Sequence, residues 1–169
     1  PPGNFATTEE LIAMAAEMSP YGGVYISHLR SEADTFLEAI DEAIRIGREG
    51  GVAVEIFHLK AAGHRNWYKA DLAIARIEAA RAEGLDIQAN MYPYTAGSTG
   101  LNACMPPWAS ADGKLFDNLT DPGMRATIRD EILNQKTVWE NFCALTGADG
   151  VLILRLRNEE NRQYAGMYL

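Results

Sequence analysis

Polar and apolar residues alternate in blocks along the first half of the chain. In "TTEELIAMAAEM" the apolar positions fall at helical spacing, and Thr7 with Glu10 forms a capping-box pattern. The spacing predicts a helix of about three turns, which "SPYGG" stops. "GVYISH" reads as a strand. "DTFLEAIDEAIRIGREGG" then places Phe36, Leu37, Ile40, Ala43, Ile44 and Gly47 on one helical face and closes on a glycine pair. The cycle repeats with "VAVEIFH" as a strand, "WYKADLAIARIEAARAEG" as a helix ending at Gly84, and "LDIQAN" as a third strand. Strands separated by helices of this length pair in parallel through crossovers, with the helices covering the sheet. The fold class is therefore α/β.

After Asn90 the rhythm breaks. "MYPYTAGSTGLNACMPPWASADGKLFDN" is rich in Gly, Pro, Ser and Thr and has no clear period, the composition of a functional loop or lid. "DPGMRATIRDEILNQ" predicts a helix with Asp121 as N-cap and Pro122 at its first position. "GVLILRLR" predicts a return to strand, and "NEENRQYAGMYL" a final helix. The opening "PPGNF" carries no Met and reads as a cut inside a longer polypeptide.

A length of 169 residues with 47% hydrophobic content is enough for one ordinary core. The net charge of −8 and the absence of any Lys/Arg run argue against a nucleic-acid surface. No apolar run approaches the ~20 residues of a membrane span, and no signal pattern opens the chain. The expectation is a cytoplasmic protein whose partner is a small molecule, without membrane association. Cys104 and Cys143 stand far apart in no CxxC pattern, which predicts two unpaired thiols.

Two of the three histidines stand in matched places, His28 in "YISHLR" and His58 in "EIFHLK". Each ends a strand in consecutive βα units. On adjacent parallel strands, roughly 5 Å apart, two imidazoles can share one metal ion, and α/β barrels gather their active sites at that strand end. The other reading makes each a capped or buried histidine bonded to backbone; spacing leaves both open. Lys60 follows His58 as Arg30 follows His28. An ammonium at 60 can hold a carbonyl or carboxylate oxygen or make a strand-end salt bridge. Arg30, ahead of "SEAD", fits a loop or helix-terminus ion pair better. His64 reads as solvated or as a lid contact. Glu55 is awkward, because alternation turns it toward the helix layer if His58 faces the other way.

The stretches "GGVYISHLRSEADTFLEAIDEAIRIGREGGVAVEIFHLKAAG", "NWYKADLAIARIEAARAEGLDIQANMYPYTAGSTGL" and "MPPWA" closely resemble the D-aminoacylase (N-acyl-D-amino-acid deacylase) family of the amidohydrolase superfamily. The likeness extends to "WENF" and "NEENR". It implies an incomplete (β/α)8 TIM-type barrel of the metal-dependent hydrolase kind, since a closed barrel takes about 250 residues. Residues 1–169 would supply about the fifth to eighth strands, with 91–136 a loop and helical insertion near the active site. The matching positions make His28 and His58 ligands of one or two zinc ions, and Lys60, Tyr92 and Ser98 substrate-binding residues. The first-strand HxH motif, the bridging cysteine and the general acid/base aspartate would lie outside this chain, so no catalytic residue is expected within it. Cys104 and Cys143 match none of these. The family usually has Ser where Phe57 stands and Asp where Asn90 stands.

The resemblance implies metal-assisted hydrolysis of N-acyl-D-amino acids to a carboxylate and a D-amino acid, with the isolated chain inactive and prone to self-association through exposed barrel edges. A cyclic-amide hydrolase of the dihydroorotase or hydantoinase kind shares the strand-end histidines, but the "YPYTAGST" loop fits the acylase better. For the chain alone, a non-catalytic α/β module is the competing class.

Overall fold

Helix and strand alternate through the first half of the chain as the apolar pattern predicts. The structure, a computed structural model, describes residues 5–169, which divide into a unit ending at Thr95 and a second from Ala96 to Leu169. The first unit contains α1 (Thr8–Met18), β1 (Val24–Ser27), α2 (Phe36–Gly50), β2 (Ala53–Ile56), α3 (Lys69–Ala82) and β3 (Ile87–Ala89). The strands pair in parallel in the order β1-β2-β3, with Ile26 opposite Glu55 and Glu55 opposite Gln88.

The core lies on one face of this sheet. Phe36, Ala39, Ile40, Ala43 and Ile44 of α2 and Ala73, Ile77 and Ala80 of α3 cluster with Val54, Ile56 and Ile87. Burying a Phe or Ile side chain contributes about 1.5–3 kcal/mol each, so this cluster holds the helices on the strands. α1 covers another side of α2 through Ala15, Ile46 and Val52. Its start is the capping box of the sequence: Thr7 Oγ1 accepts from Glu10 N–H at 3.2 Å, and Thr7 N–H donates to the Glu10 carboxylate at 2.7 Å. α2 stops at Gly51, whose φ of 65° lies in the left-handed region that favours glycine. On the opposite face of the sheet Val24 and Ile26 remain 44% and 50% exposed. A parallel sheet is ordinarily covered on both faces.

The second unit contains short 3-10 turns at Leu101–Cys104 and Pro107–Gly113, then α4 (Leu115–Thr120), α5 (Pro122–Leu133) and α6 (Phe142–Thr146). Part of the stretch expected to be irregular thus has helical structure of its own. α5 begins as predicted, with the Asp121 carboxylate accepting from Met124 N–H at 2.7 Å. Three expectations are corrected here. Cys104 and Cys143 are not free thiols but a disulfide: the turn ending at Cys104 and the helix carrying Cys143 bring their Cα atoms to 5.2 Å, a proximity that a 39-residue separation does not reveal. "GVLILRLR" is not a sheet strand; among the described residues it makes one antiparallel bridge, Leu152 to Tyr168. The C-terminal segment is a 3-10 helix, Glu159–Tyr164, rather than an α-helix. An apolar run becomes a strand only with a neighbour to take its N–H and C=O groups, and here that neighbour is the chain's own last residues, through Ile153 N–H to Met167 O at 2.9 Å and Leu169 N–H to Val151 O at 3.2 Å. Among the described residues no helix is long and apolar enough to cross a membrane.

Candidate metal centre

The strand ends set the geometry of the two histidines. Along β1, Val24 and Ile26 point to the open face, and His28 follows in the same phase, one residue beyond the strand. Along β2, Val54 and Ile56 point into the core, and simple alternation would send His58 after them. It does not go there, because the chain turns at residues 57 and 58 and His58 adopts φ 38°, a left-handed conformation uncommon outside glycine but enriched in His. The turn brings its ring back beside His28, with His28 Nδ1 3.2 Å from His58 Nε2 and ring centroids 4.9 Å apart. This resolves the phase of Glu55: it lies on the open face with Ile26 and Gln88, and the left-handed residue restores His58 to that side.

Neighbouring strands clamp the turn. Phe57 N–H donates to Ser27 O at 2.9 Å, Leu59 N–H to Asn90 O at 2.8 Å, and His58 N–H to Asn90 Oδ1 at 2.7 Å. Asn90 Nδ2 in turn donates to Glu55 at 2.8 Å. An aspartate could accept from His58 but could not donate to Glu55, and would set two carboxylates together. The amide at position 90 therefore suits the acid at position 55.

A residue not singled out by sequence stands at the centre of the site. Glu32 is 2% exposed, and its Oε1 lies 2.5 Å from Lys60 Nζ, 3.0 Å from His58 Nδ1 and 3.3 Å from His28 Nδ1. Lys60 Nζ also sits 2.9 Å from His58 Nδ1 and donates to His58 O at 3.1 Å. The signal was the four-residue spacing in "HLRSE", but an acid in a loop ordinarily faces water. Burial comes from tertiary stitching of the two loops that follow β1 and β2. Ala62 N–H donates to Glu32 O at 2.6 Å, and the buried Lys69 ammonium donates to Asp34 O and Asn66 Oδ1, both at 2.8 Å. In the same seam, the Arg65 guanidinium holds the Asp34 carboxyl below the usual range.

His28, Glu32 and His58 each offer one ligand atom, all within 4.8 Å of one another. The donors suit zinc. Two nitrogens bound tetrahedrally at about 2.0–2.1 Å stand about 3.3 Å apart, close to the 3.2 Å between the two ring nitrogens here.

The other predicted residues divide. Tyr92 is half-buried, its ring 6.4 Å from the His58 ring and 5.6 Å from Lys60 Nζ. Ser98 lies on an exposed irregular stretch of the second unit. Arg30 is an ion-pair residue, with Nε and Nη2 on the Glu42 carboxylate at 2.9 and 2.8 Å. Burial raises the Glu42 pKa, but the hydrogen bonds from Arg30 and Thr8 outweigh it and hold the carboxyl below its ordinary value. His64 begins a 3-10 turn and packs its ring 4.7 Å from Trp67.

No family model matches the chain. Among curated proteins, it is 43% identical over 101 residues to a D-aminoacylase from Alcaligenes xylosoxydans xylosoxydans, covering 60% of this chain and 21% of that protein. A solved structure concerned with the binuclear metal centre of D-aminoacylase superposes with a TM-score of 0.58 at 41% identity, over 61% of this chain and 22% of that one. The N-acyl-D-glutamate deacylase of Bordetella bronchiseptica, solved with zinc and a phosphonate mimic of the tetrahedral intermediate, gives a TM-score of 0.54 at 33% identity, over 55% of this chain and 20% of that one. The chain spans about a fifth of the length of the curated relatives it matches. Over about 60% of its own length, then, it is similar to D-aminoacylase and to N-acyl-D-glutamate and N-acyl-D-aspartate deacylases, at 36–43% identity.

Proposed function

We propose that this chain supplies part of a zinc-dependent amidohydrolase that, in the complete protein, cleaves N-acyl-D-amino acids to a carboxylate and a D-amino acid. The observation that carries the reading is the approach of His28 Nδ1 and His58 Nε2 to 3.2 Å at the C-terminal ends of adjacent parallel strands. Similarity to acylases of D-amino-acid substrates supports the substrate class. The open apolar face around Val24 and Ile26 supports a fold in which β1 to β3 are three of the strands of an incomplete (β/α)8 barrel, within the expected fifth-to-eighth stretch, whose remaining strands cover that face. Residues 91–136 would be its loop and helical insertion beside the active site.

In this reading His28 and His58 hold the metal, which when bound supplies Lewis-acid polarisation of the scissile carbonyl and activation of water. Lys60 has three donors on one ammonium and holds a carbonyl or carboxylate oxygen of the substrate. The Tyr92 and Ser98 hydroxyls donate to the α-carboxylate. The general acid/base and the remaining ligands come from outside this chain, because catalytic zinc sites use three protein ligands with an open position. Elemental analysis of the complete protein, paired with hydrolysis of N-acetyl-D- and N-acetyl-L-amino acids, tests the proposal. His58→Ala should lose zinc and turnover together, and the D-enantiomer should be preferred. Full turnover by metal-free protein, or equal loss of neither quantity in His58→Ala, would refute it.

A further inference from the structure

We propose that Glu32 is the positioning residue of this centre: its buried carboxylate fixes the His58 ring through Nδ1, aims Nε2 at the ion, and anchors the Lys60 ammonium beside the substrate. The inference rests on the zinc reading and deepens it. Its geometry suits a carboxylate–histidine–metal arrangement, in which the ring N–H away from the ion donates a hydrogen bond to a carboxylate that sets tautomer and ring orientation. Glu32 Oε1 is 3.0 Å from His58 Nδ1, while His58 Nε2 faces His28 Nδ1. The acid itself cannot turn away, since it is 2% exposed and its own carbonyl is tied to Ala62 N–H.

Glu32 could instead be a third ligand, as its place within 4.8 Å of both histidines allows. The Lys60 contact argues against that. One oxygen, Oε1, already carries the ammonium at 2.5 Å, and a divalent ion on the same buried oxygen would set two cations against each other. Lys60 also gains from the positioning role. Its ammonium sits 2.9 Å from His58 Nδ1. With its proton on Nδ1 and hydrogen-bonded to Glu32, His58 no longer accepts from Lys60, and one N–H of the lysine is freed toward the substrate while Glu32 keeps hold of another.

The test is zinc affinity in the complete protein, measured by chelator competition, with His58 tautomer read by long-range nitrogen–proton NMR. Glu32→Gln keeps the shape and should weaken zinc about 10–100-fold, preserve its stoichiometry, and lose the single Nδ1–H tautomer of His58. Lys60→Met leaves the carboxylate to His58 and should bind zinc as tightly as the unmodified protein. If Glu32→Gln does not fold, the double variant Glu32→Gln/Lys60→Met, which removes both buried charges, is read against Lys60→Met and should bind about 10-fold or more weakly. Three outcomes overturn the inference alone: unchanged affinity in Glu32→Gln, loss of zinc as complete as in His58→Ala, which would make Glu32 a ligand, or a double variant as tight as Lys60→Met, which would make it only the lysine's counter-ion. Failure of the unmodified protein to bind zinc would overturn the metal reading and this inference with it.

Discussion

Gly47→Ala tests how the helix layer sets the metal site. On propensity alone the substitution should stabilise α2 by about 1 kcal/mol, and burying the added methyl should add about 0.8 kcal/mol. The packing opposes both. A Cβ at Gly47 would lie 2.3 Å from Val54 Cγ2, 3.2 Å from Leu85 Cδ1 and 3.3 Å from Val52 O, where carbon atoms in contact stand about 3.5–4.0 Å apart. Val54 is 2% exposed and β-branched, so it has few rotamers into which to retreat. An overlap of this depth takes the upper end of the overpacking cost, about 3 kcal/mol, and leaves a net loss of about 1 kcal/mol. For a domain of this size that lowers Tm by about 2–4 °C. The functional consequence follows from the strand: relief of the clash moves β2 away from α2, Val54 is four residues from His58, and binding constellations tolerate displacements of only about 0.5 Å. Zinc affinity in the complete protein should therefore fall with stability. Calorimetry and chelator competition on Gly47→Ala, Val54→Ala and the double variant check this, with the double variant less destabilised than the sum of the two. An increase in Tm for Gly47→Ala would refute the packing argument.

Two further outcomes are expected. Glu42→Gln should cost about 1–2 kcal/mol at neutral pH, a value discounted for the partly exposed Arg30 partner. The folded-state pKa of Glu42 lies below the ordinary 4.5, so its contribution is complete above that value and is lost as pH falls through the folded one; denaturation curves of the variant and the unmodified protein should converge in acid, and a constant gap would refute the linkage. Cys143→Ser should expose the second unit, because a crosslink spanning 39 residues is worth about 4 kcal/mol in chain entropy; limited proteolysis between Ala96 and Leu169 should accelerate in the variant and in reductant, and equal resistance would show that the bridge does not hold the unit together.

What was legible in the sequence was whatever local spacing determines. The capping box at Thr7 and Glu10, the buried stripe from Phe36 to Gly47, the Asp121 cap and the parallel order of three strands all follow from period and turn chemistry. The matched positions of His28 and His58 also predicted that two rings would meet. The means by which they meet was hidden. Alternation alone points His58 into the core, and a left-handed residue held by Asn90 and Ser27 reverses it, which depends on partners 31 residues before it and 32 residues after it along the chain. Glu32 was hidden for a similar reason. Its sequence context is that of a solvated loop acid, and only the packing of one βα loop against the next makes it the buried contact of two imidazoles and an ammonium. The second unit shows the converse: "GVLILRLR" carries the composition of a strand, yet pairing decides strands, and its partner is a C-terminal segment whose own composition predicted a helix. In this chain, sequence spacing names the groups that could act together, and contacts between loops distant in sequence decide which nitrogen, oxygen and ammonium face each other.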